Sequence, residues 1–256
     1  MRTLAIANHK GGVGKTATAH ALGEGLAAAG RKVLLVDLDA QASLTLACGV
    51  TDADGQSMAE VLGSAHPGTL TLDEILRPVG DNLTLAPGDI ALGSTELGLV
   101  LRMGREYSLR RALETVADAF DVCILDCPPA MGLLTVNALA AAHGVLVPTQ
   151  PETAALRGLR LFLDSVAQVR ADLNKGLELV AVVATMYDGR LNHHKAALEA
   201  LAATGARISP VTIGRSVRVA EAALAGQSVL AYANENPRAQ EYRALTQEVI
   251  AWLAVE

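Results

Sequence analysis

Short apolar runs alternate with longer amphipathic segments along the chain. The runs have the length of strands and contain few polar residues; they cover residues 4–7, 33–36, 83–85, 122–125, 145–147 and 179–184. The segments between them predict helices over residues 16–29, 110–119, 133–142, 156–170, 196–203 and 239–253. Strands without polar alternation are typical of a parallel sheet that is buried on both faces. The pattern therefore predicts one α/β domain, residues 1–256, with a doubly wound, mostly parallel sheet and helices on both faces.

Composition favours a folded, water-soluble protein. Of the 256 residues 51% are apolar and 19% are charged, and the formal net charge is −6. A mean hydropathy of +0.31 comes without any run near the roughly 20 apolar residues that a spanning helix needs. The first apolar run leads directly into a glycine-rich loop, without the pattern of a secretory signal, so we expect a cytoplasmic location. Two Phe, four Tyr and one Trp are too few for a platform that stacks single-stranded bases.

The cysteines give no sign of a disulfide framework or a thiolate metal site. Cys48, Cys123 and Cys127 are three in number and form no Cys-x-x-Cys pair. An iron–sulfur role would require cysteines that bridge two subunits, whereas Cys123 and Cys127 lie in or directly after an apolar run, where small buried cysteines are common.

A phosphate-binding loop follows the first strand. The sequence Lys-Gly-Gly-Val-Gly-Lys-Thr at residues 10–16 lies between that strand and an alanine-rich helix. His9 occupies the first glycine position of the ordinary G-x-x-x-x-G-K-[ST] pattern, so the chain fits the deviant K-G-G-x-G-K-[ST] form instead. Backbone N–H groups and the helix N-terminus favour phosphate here, Lys15 can reach β- and γ-phosphates, and Thr16 can ligate Mg²⁺. The expected nucleotide-binding residues are Lys10, Gly11, Gly12, Val13, Gly14, Lys15, Thr16 and Ala17.

Three aspartates follow apolar runs where parallel strands present ligands. Asp37 and Asp39 follow the second run and share one face of an extended chain, and Asp126 ends a later run just before Pro128 and Pro129. Aspartates after strands are often turn formers, but their order after a phosphate loop favours a role in phosphoryl transfer. One carboxylate would then orient water while others support Mg²⁺.

These motifs resemble the deviant Walker A ATPases of the ParA/MinD family, most closely the ParA (Soj-like) partition proteins. The resemblance covers nearly the whole chain and implies a P-loop NTPase type of fold. Its motifs lie at residues 8–16, 34–39 with Gln41, 125–129, 137–139, 147–150, 186–190 and 215–222.

The resemblance implies an ATPase with weak intrinsic turnover that uses ATP and Mg²⁺. Lys15 would bind phosphate, Asp39 would position the attacking water, and Lys10 would cross to the partner's nucleotide in a sandwich homodimer. Thr16, Asp37 and Asp126 would hold or support Mg²⁺. The ATP-bound dimer would bind non-specific double-stranded DNA on the nucleoid until a ParB-like, centromere-binding partner stimulates hydrolysis.

DNA contact is expected in a locally basic segment. The resemblance assigns it to Arg190 and Arg218, with Arg215 beside them. Residues 186–220 hold five basic and two acidic side chains, so this segment is positive in an acidic chain. Phosphate contacts of this kind give salt-sensitive, sequence-independent binding. The alternative is a solvated surface that carries ordinary arginines.

Departures from the family pattern leave other functions open. Ala40 and Gly214 stand where the partition proteins usually have proline, Ser216 stands where they have asparagine, and residues 42–49 lack their internal glycines. One alternative is a ParA-like nucleotide switch that positions another cargo. Another is a MinD-like membrane-positioning ATPase, although residues 248–256 are acidic and lack the basic residues that bind anionic lipid. An amidotransferring or carboxylating synthase would need an additional substrate-binding extension.

Overall fold

Eight strands form one sheet in the computed structural model, which describes residues 1–53, 55–63, 70–203 and 205–255. The spatial order is β3-β4-β2-β5-β1-β6-β7-β8, and β3 alone among these strands runs antiparallel to its neighbour. The strands are β1 (Arg2–Ile6), β2 (Val33–Asp37), β3 (Arg77–Gly80), β4 (Leu83–Ala86), β5 (Val122–Asp126), β6 (Gly144–Thr149), β7 (Glu178–Tyr187) and β8 (Ile208–Gly214).

Helices cover both faces of this sheet. They are α1 (Lys15–Ala28), α2 (Ser43–Ala47), α3 (Met58–Gly63), α4 (Leu92–Leu99), α5 (Ser108–Glu114), α6 (Leu133–Ala141), α7 (Thr153–Asp172), α8 (Asn192–Ala202), α9 (Val217–Leu224), α10 (Val229–Tyr232) and α11 (Pro237–Leu253). Two short 3₁₀ helices span Leu72–Ile75 and Arg105–Tyr107.

The apolar core lies in two layers because successive strand residues point to opposite faces. Leu34 and Val36 of β2 belong to the layer packed against α3–α8, whereas Val33 and Leu35 belong to the layer packed against α1, α10 and α11. Burial on both faces explains why the central strands carry no polar alternation. The predicted doubly wound, mostly parallel α/β fold is therefore confirmed.

Several outer strands and short helices, and the extent of some helices, differ from the sequence prediction. All six predicted strands are present, but β3 and β8, the two outer strands of the sheet, were not predicted. The helix expected over residues 110–119 is α5, which ends at Glu114 and is followed by turns. The short helices α2, α3, α4, α9 and α10 were also missed, because four to eight residues are too few for a clear helical period.

The parallel strands bring the predicted motifs to one edge. Asp37 and Asp126 are register partners at the carboxyl ends of β2 and β5, and Ile6 of β1 is the other neighbour of Asp126. In doubly wound sheets ligands bind beyond this edge. In the described ranges, no helix is both long enough and apolar enough to cross a membrane.

Candidate functional site

A cleft of about 760 Å³ opens at the carboxyl edge of the sheet. The phosphate loop contributes five residues to the lining, Ala17 and Asp39 contribute two more, and residues 213–216 form a separate wall. Pro129, which follows β5, also lines it. The cleft therefore joins segments that lie far apart in the sequence.

Glycine conformation shapes the phosphate loop. Gly12 and Gly14 have φ angles of 72° and 85°, in the left-handed region that favours glycine. Helix α1 begins directly afterwards at Lys15, so its unpaired N–H groups face the same region as the loop. The side chain of Val13 is fully buried, and its carbonyl accepts a hydrogen bond of 2.8 Å from Thr185 Oγ1. Because its side chain is buried in the core, Val13 can serve a ligand only through its backbone.

Lys15 is nearly buried at the base of the loop. Its Nζ donates a 3.3 Å hydrogen bond to the carbonyl of Lys10. Burial lowers the pKa of Lys15, while the negative charge of Asp126 acts in the opposite direction. A buried ammonium group with one carbonyl partner is stabilised by an added anion, so this lysine is suited to hold phosphate oxygens.

Asp126 has two buried carboxylate oxygens, and neither accepts a hydrogen bond from the described part of the chain. Burial raises the pKa of Asp126 well above its usual value, and nearby Asp37 raises it further, while the Thr16 hydroxyl and Lys15 lower it. Unsatisfied carboxylate oxygens beside a hydroxyl form a suitable environment for a hard cation. Thr16 and Asp126 therefore fit Mg²⁺.

The protein supplies few possible ligands to such an ion. Within the described residues no group of three or more His, Cys, Asp or Glu side chains could hold a metal. A Mg²⁺ ion here would therefore take most of its ligands from phosphate and water, as is usual for this ion. Cys123 and Cys127 are buried free thiols whose pKa values are raised by burial, so they are poor metal ligands.

Both carboxylate oxygens of Asp37 accept hydrogen bonds from the chain. One oxygen accepts hydrogen bonds of 2.8 Å from both the backbone N–H and the hydroxyl of Thr45, and the other accepts one of 3.1 Å from the Asp39 N–H. Thr45 Oγ1 in turn accepts a bond from the Gly88 N–H, where a side chain at position 88 would collide with Asp37. Burial raises the pKa of Asp37 to about 6. Asp37 thus anchors α2 to β2 directly and the 88 loop through Thr45, and it would support Mg²⁺ through its charge.

Asp39 differs from its neighbour because it is partly exposed and lines the cleft. One carboxylate oxygen accepts a 3.0 Å bond from the Gln41 N–H, which fixes the turn after β2. A carboxylate that is oriented and accessible from the cleft can orient a water molecule.

The side chain of Lys10 lies against the segment after β6. Its Nζ donates to Gln150 Oε1 at 3.1 Å and to Glu152 Oε2 at 2.9 Å. The lysine is half-buried, and the hydrogen bond from Lys10 lowers the pKa of Glu152. Its predicted contact with a second subunit's nucleotide would require this arrangement to break.

The three predicted DNA-binding arginines follow adjacent strands. Arg190 comes after β7 and Arg215 and Arg218 come after β8, whose last residue Gly214 is the register partner of Tyr187. Arg190 is exposed and contacts both carboxylate oxygens of Asp188, at 2.9 and 2.7 Å, which holds the pKa of Asp188 well below its usual range.

Arg218 and Arg215 have different surroundings. Arg218 pairs with Glu221 at 2.8 Å, one residue beyond the segment counted as basic, so the local positive charge is smaller than that count. Arg215 is exposed and also lines the nucleotide cleft. Among the three arginines, Arg190 and Arg218 are thus placed as surface charges, whereas Arg215 lies between the surface and the cleft.

Several cleft residues were absent from the sequence prediction. His20 on α1 is 7% exposed, and its burial lowers its pKa to about 4, so a neutral imidazole lines the cleft. Met186 has a left-handed backbone (φ 51°), which is uncommon for a residue with a side chain. Tyr242 comes from α11, far along the chain from the loop. His20 and Tyr242 belong to no local motif, and Met186 lies in the 186–190 motif without an assigned role, so only the fold shows that these residues meet at the site.

Known proteins resemble this chain over nearly its whole length. The AAA_31 family model, described as an AAA domain, matches residues 1–179. The chromosome-partitioning ATPase Soj of Thermus thermophilus is 40% identical over 253 residues, covering 98% of this chain and 96% of that protein. The chromosome partitioning protein ParA of Caulobacter vibrioides is 38% identical over 255 residues, covering 98% and 94%. A structure described as cobyrinic acid a,c-diamide synthase from Mycobacterium smegmatis with bound ATP analogue and magnesium has a TM-score of 0.86 at 37% identity, covering 99% of this chain and 96% of that one.

Proposed function

This chain belongs to the ParA/Soj family of chromosome-partitioning ATPases. We propose that it is an ATP-dependent DNA partition ATPase, whose DNA binding is controlled by its nucleotide. In this proposal Mg²⁺ and ATP drive formation of a sandwich homodimer, and the dimer binds double-stranded DNA without sequence preference. A ParB-like partner then stimulates a weak intrinsic hydrolysis and releases the protein from the nucleoid.

The observation that carries the proposal is the composition of the cleft. It brings together the phosphate loop, Asp39 and the 213–216 wall, and the last of these leads directly into α9 with Arg218. A nucleotide in the cleft would therefore lie against the segment that carries a proposed DNA contact. This continuity offers a physical route by which ATP could control DNA binding.

Each residue has a defined task in hydrolysis. Lys15 and the N–H groups of the loop hold the phosphates, and Asp39 orients the attacking water. Thr16 would ligate Mg²⁺ and Asp126 would hold it in place, and the ion would supply neutralisation of phosphate charge. Lys10, released from Glu152, would add its positive charge to the partner's nucleotide, so that hydrolysis depends on dimerisation.

Helix α11 does not have the exposed face of a membrane-binding helix. A membrane-binding helix needs an exposed apolar face. In α11 the apolar side chains are instead buried against the sheet and α1, and Trp252 packs beside Gly144 while its Nε1 donates to Glu178 Oε2. The apolar face of this helix is therefore already covered within the molecule.

Fluorescence anisotropy of a random-sequence duplex tests the proposal. We expect tight binding with Mg-ATP, weak binding with Mg-ADP, and loss of ATP-dependent binding for Lys15→Ala. A ParB-like protein that binds a centromere-like site should raise ATP turnover and release the duplex. DNA binding that is equal in all nucleotide states would contradict the proposed partition ATPase. ATP-dependent DNA binding without stimulated turnover would favour a nucleotide switch that positions another cargo.

A further inference from the structure

One wall of the nucleotide cleft is fixed by α11. The wall, residues 213–216, ends β8 and leads into α9, and all four residues line the cleft. Its backbone is held at two successive residues. The Gly214 N–H donates a 2.9 Å hydrogen bond to Glu241 Oε2, and the carbonyl of Arg215 accepts one of 3.3 Å from Arg238 Nη1.

The two side chains that hold the wall also hold each other. Arg238 Nη2 lies 2.6 Å from Glu241 Oε1, and the two side chains are only 21% and 27% exposed. Each carboxylate oxygen of Glu241 therefore has its own partner, one in the wall and one in Arg238. Because the pair is partly buried, solvent and salt screen it less than a surface ion pair.

The contact depends on glycine at position 214. A Cβ atom added there would overlap the guanidinium of Arg238. Proline, which the family pattern favours at this position, would also lack the N–H that Glu241 accepts. In this chain hydrogen bonds from α11 thus take the place of the rigidity that a proline ring would give.

Helix α11 reaches the phosphate side of the cleft as well. The Tyr242 hydroxyl lies 3.4 Å from Thr18 Oγ1 on α1, and Tyr242 lines the cleft. Farther along, Gly25 of α1 packs so closely against Thr246 that a side chain at position 25 would collide with it. One helix therefore contacts both the helix that follows the phosphate loop and the opposite wall.

The topology indicates which part of a nucleotide meets that wall. Strand β8 is three strands away from β1, which precedes the phosphate loop, so about 14 Å separates them at ordinary strand spacing. A nucleotide with its phosphates in the loop would extend its ribose and base across the cleft toward residues 213–216.

We propose that Arg238 and Glu241 are positioning residues that fix the 213–216 wall against the ribose and base of the bound nucleotide. The inference rests on the proposed function, because it assumes that ATP is the ligand of the cleft. It assigns phosphate affinity to the loop and nucleoside affinity to α11, and it makes the two separable by mutation.

Phosphate affinity and nucleoside affinity are separated by measuring how Mg-ATP, Mg-GTP and Mg-tripolyphosphate bind to the Glu241→Ala and Arg238→Ala variants. We expect ATP affinity to fall about tenfold, as for loss of a hydrogen bond to a charged group, and the ratio of ATP to GTP affinity to change. Tripolyphosphate, which has no nucleoside, should bind as it does to the wild type. In steady-state turnover KM for ATP should rise while kcat stays within about twofold.

Matched variants distinguish positioning from general damage. Arg243→Ala removes another α11 arginine, whose guanidinium contacts Asn234 instead of the cleft wall, and should leave all three affinities unchanged. Glu241→Gln and Arg238→Lys are milder changes for use where an alanine variant is unstable; lysine keeps the charge but lacks the guanidinium fork that reaches both partners.

Two results with the variants would overturn the inference. One is unchanged ATP affinity in the Arg238 and Glu241 variants, and the other is an equal loss of ATP and tripolyphosphate affinity, which indicates a merely structural role. A wild-type protein that binds tripolyphosphate but gains no affinity from the nucleoside would also overturn it. Failure of the wild type to bind either ligand would instead contradict the proposed function itself, and the inference with it.

Discussion

The ammonium group of Lys10 is bonded to the carboxylate of Glu152, with 2.9 Å between Nζ and Oε2. This contact occupies the lysine that the proposed dimer would place against the partner's nucleotide. Exposed ion pairs contribute little to stability, so the contact can break readily. Within one subunit, Glu152 would therefore compete with the proposed dimer for Lys10.

Removing the competitor should favour the dimer. For Glu152→Gln we expect the dimer dissociation constant in Mg-ATP to fall by about two- to fivefold, the range of a surface ion pair, with an unchanged melting temperature. Sedimentation velocity over a concentration series measures this. Glu114→Gln breaks a comparable exposed pair, Arg110–Glu114, and should not shift the equilibrium. A weaker dimer for Glu152→Gln would mean that Glu152 supports the interface.

Asp126→Asn should stabilise the nucleotide-free protein while impairing its function. The raised pKa of Asp126 means that the folded state binds more protons than the unfolded state above about pH 3.9. The folded wild type therefore loses stability as the pH rises from that value toward the raised pKa of Asp126, and asparagine, which does not titrate, removes this loss. We expect a gain of about 1–3 kcal/mol in unfolding free energy at neutral pH that fades as the pH falls toward 4.

With Mg-ATP present, the wild type should instead be more stable than the Asp126→Asn protein. The wild type gains stability from Mg-ATP by mass action, whereas the Asp126→Asn protein should gain much less. Thermal unfolding between pH 4 and 8, with and without Mg-ATP, measures both effects. Equal stabilisation of the two proteins by Mg-ATP would remove Asp126 from the metal site.

Substitutions of Asp39 and Asp37 should have different effects, the first on ATP turnover and the second on the stability of the fold. Asp39→Ala should lower ATP turnover by at least about a hundredfold, with ATP affinity nearly unchanged, because Asp39 is accessible from the cleft and has one local hydrogen bond. Asp37→Ala should cost about 1–3 kcal/mol of stability because it leaves buried donors of Thr45 unpaired. Turnover assays and urea unfolding of both variants test this division, and unchanged turnover for Asp39→Ala would exclude its proposed role.

Arg218→Ala should weaken DNA binding uniformly across sequences. Loss of one phosphate contact should reduce the slope of log affinity against log salt by about 1. Nucleotide affinity should not change, because Arg218 does not line the cleft. Arg110→Ala is the matched control, since Arg110 is also paired with a glutamate but lies near Met1 and Thr3 at the opposite edge of the sheet. An unaltered salt slope for Arg218→Ala would place the DNA contact elsewhere.

The central sheet could be predicted because its strands are continuously apolar, but the outer strands could not. Strands β3 and β8 contain Pro78 and Pro210, and each has a neighbour on one side only. Proline is tolerated on such edges because one row of N–H groups needs no partner there, yet it weakens the sequence pattern of a strand.

Only part of the candidate site could be predicted from the sequence. The loop and the aspartates form local motifs, so the sequence predicted their place. The task of Asp37 could not be predicted, because it depends on Thr45 and Gly88 arriving from separate segments. Arg238 and Glu241 gave no signal either, since they contact the cleft wall only after α11 has packed against α1 and β8.

Sedimentation velocity of Asp39→Ala with a short random-sequence duplex tests most directly whether ATP creates a DNA-binding dimer. In Mg-ATP we predict that the protein sediments as a dimer bound to the duplex, and that in Mg-ADP it sediments as a monomer separate from the DNA. Two results would contradict the account. One is a protein that binds ATP but stays monomeric and leaves the duplex free, and the other is duplex binding that is equally strong with Mg-ADP and Mg-ATP.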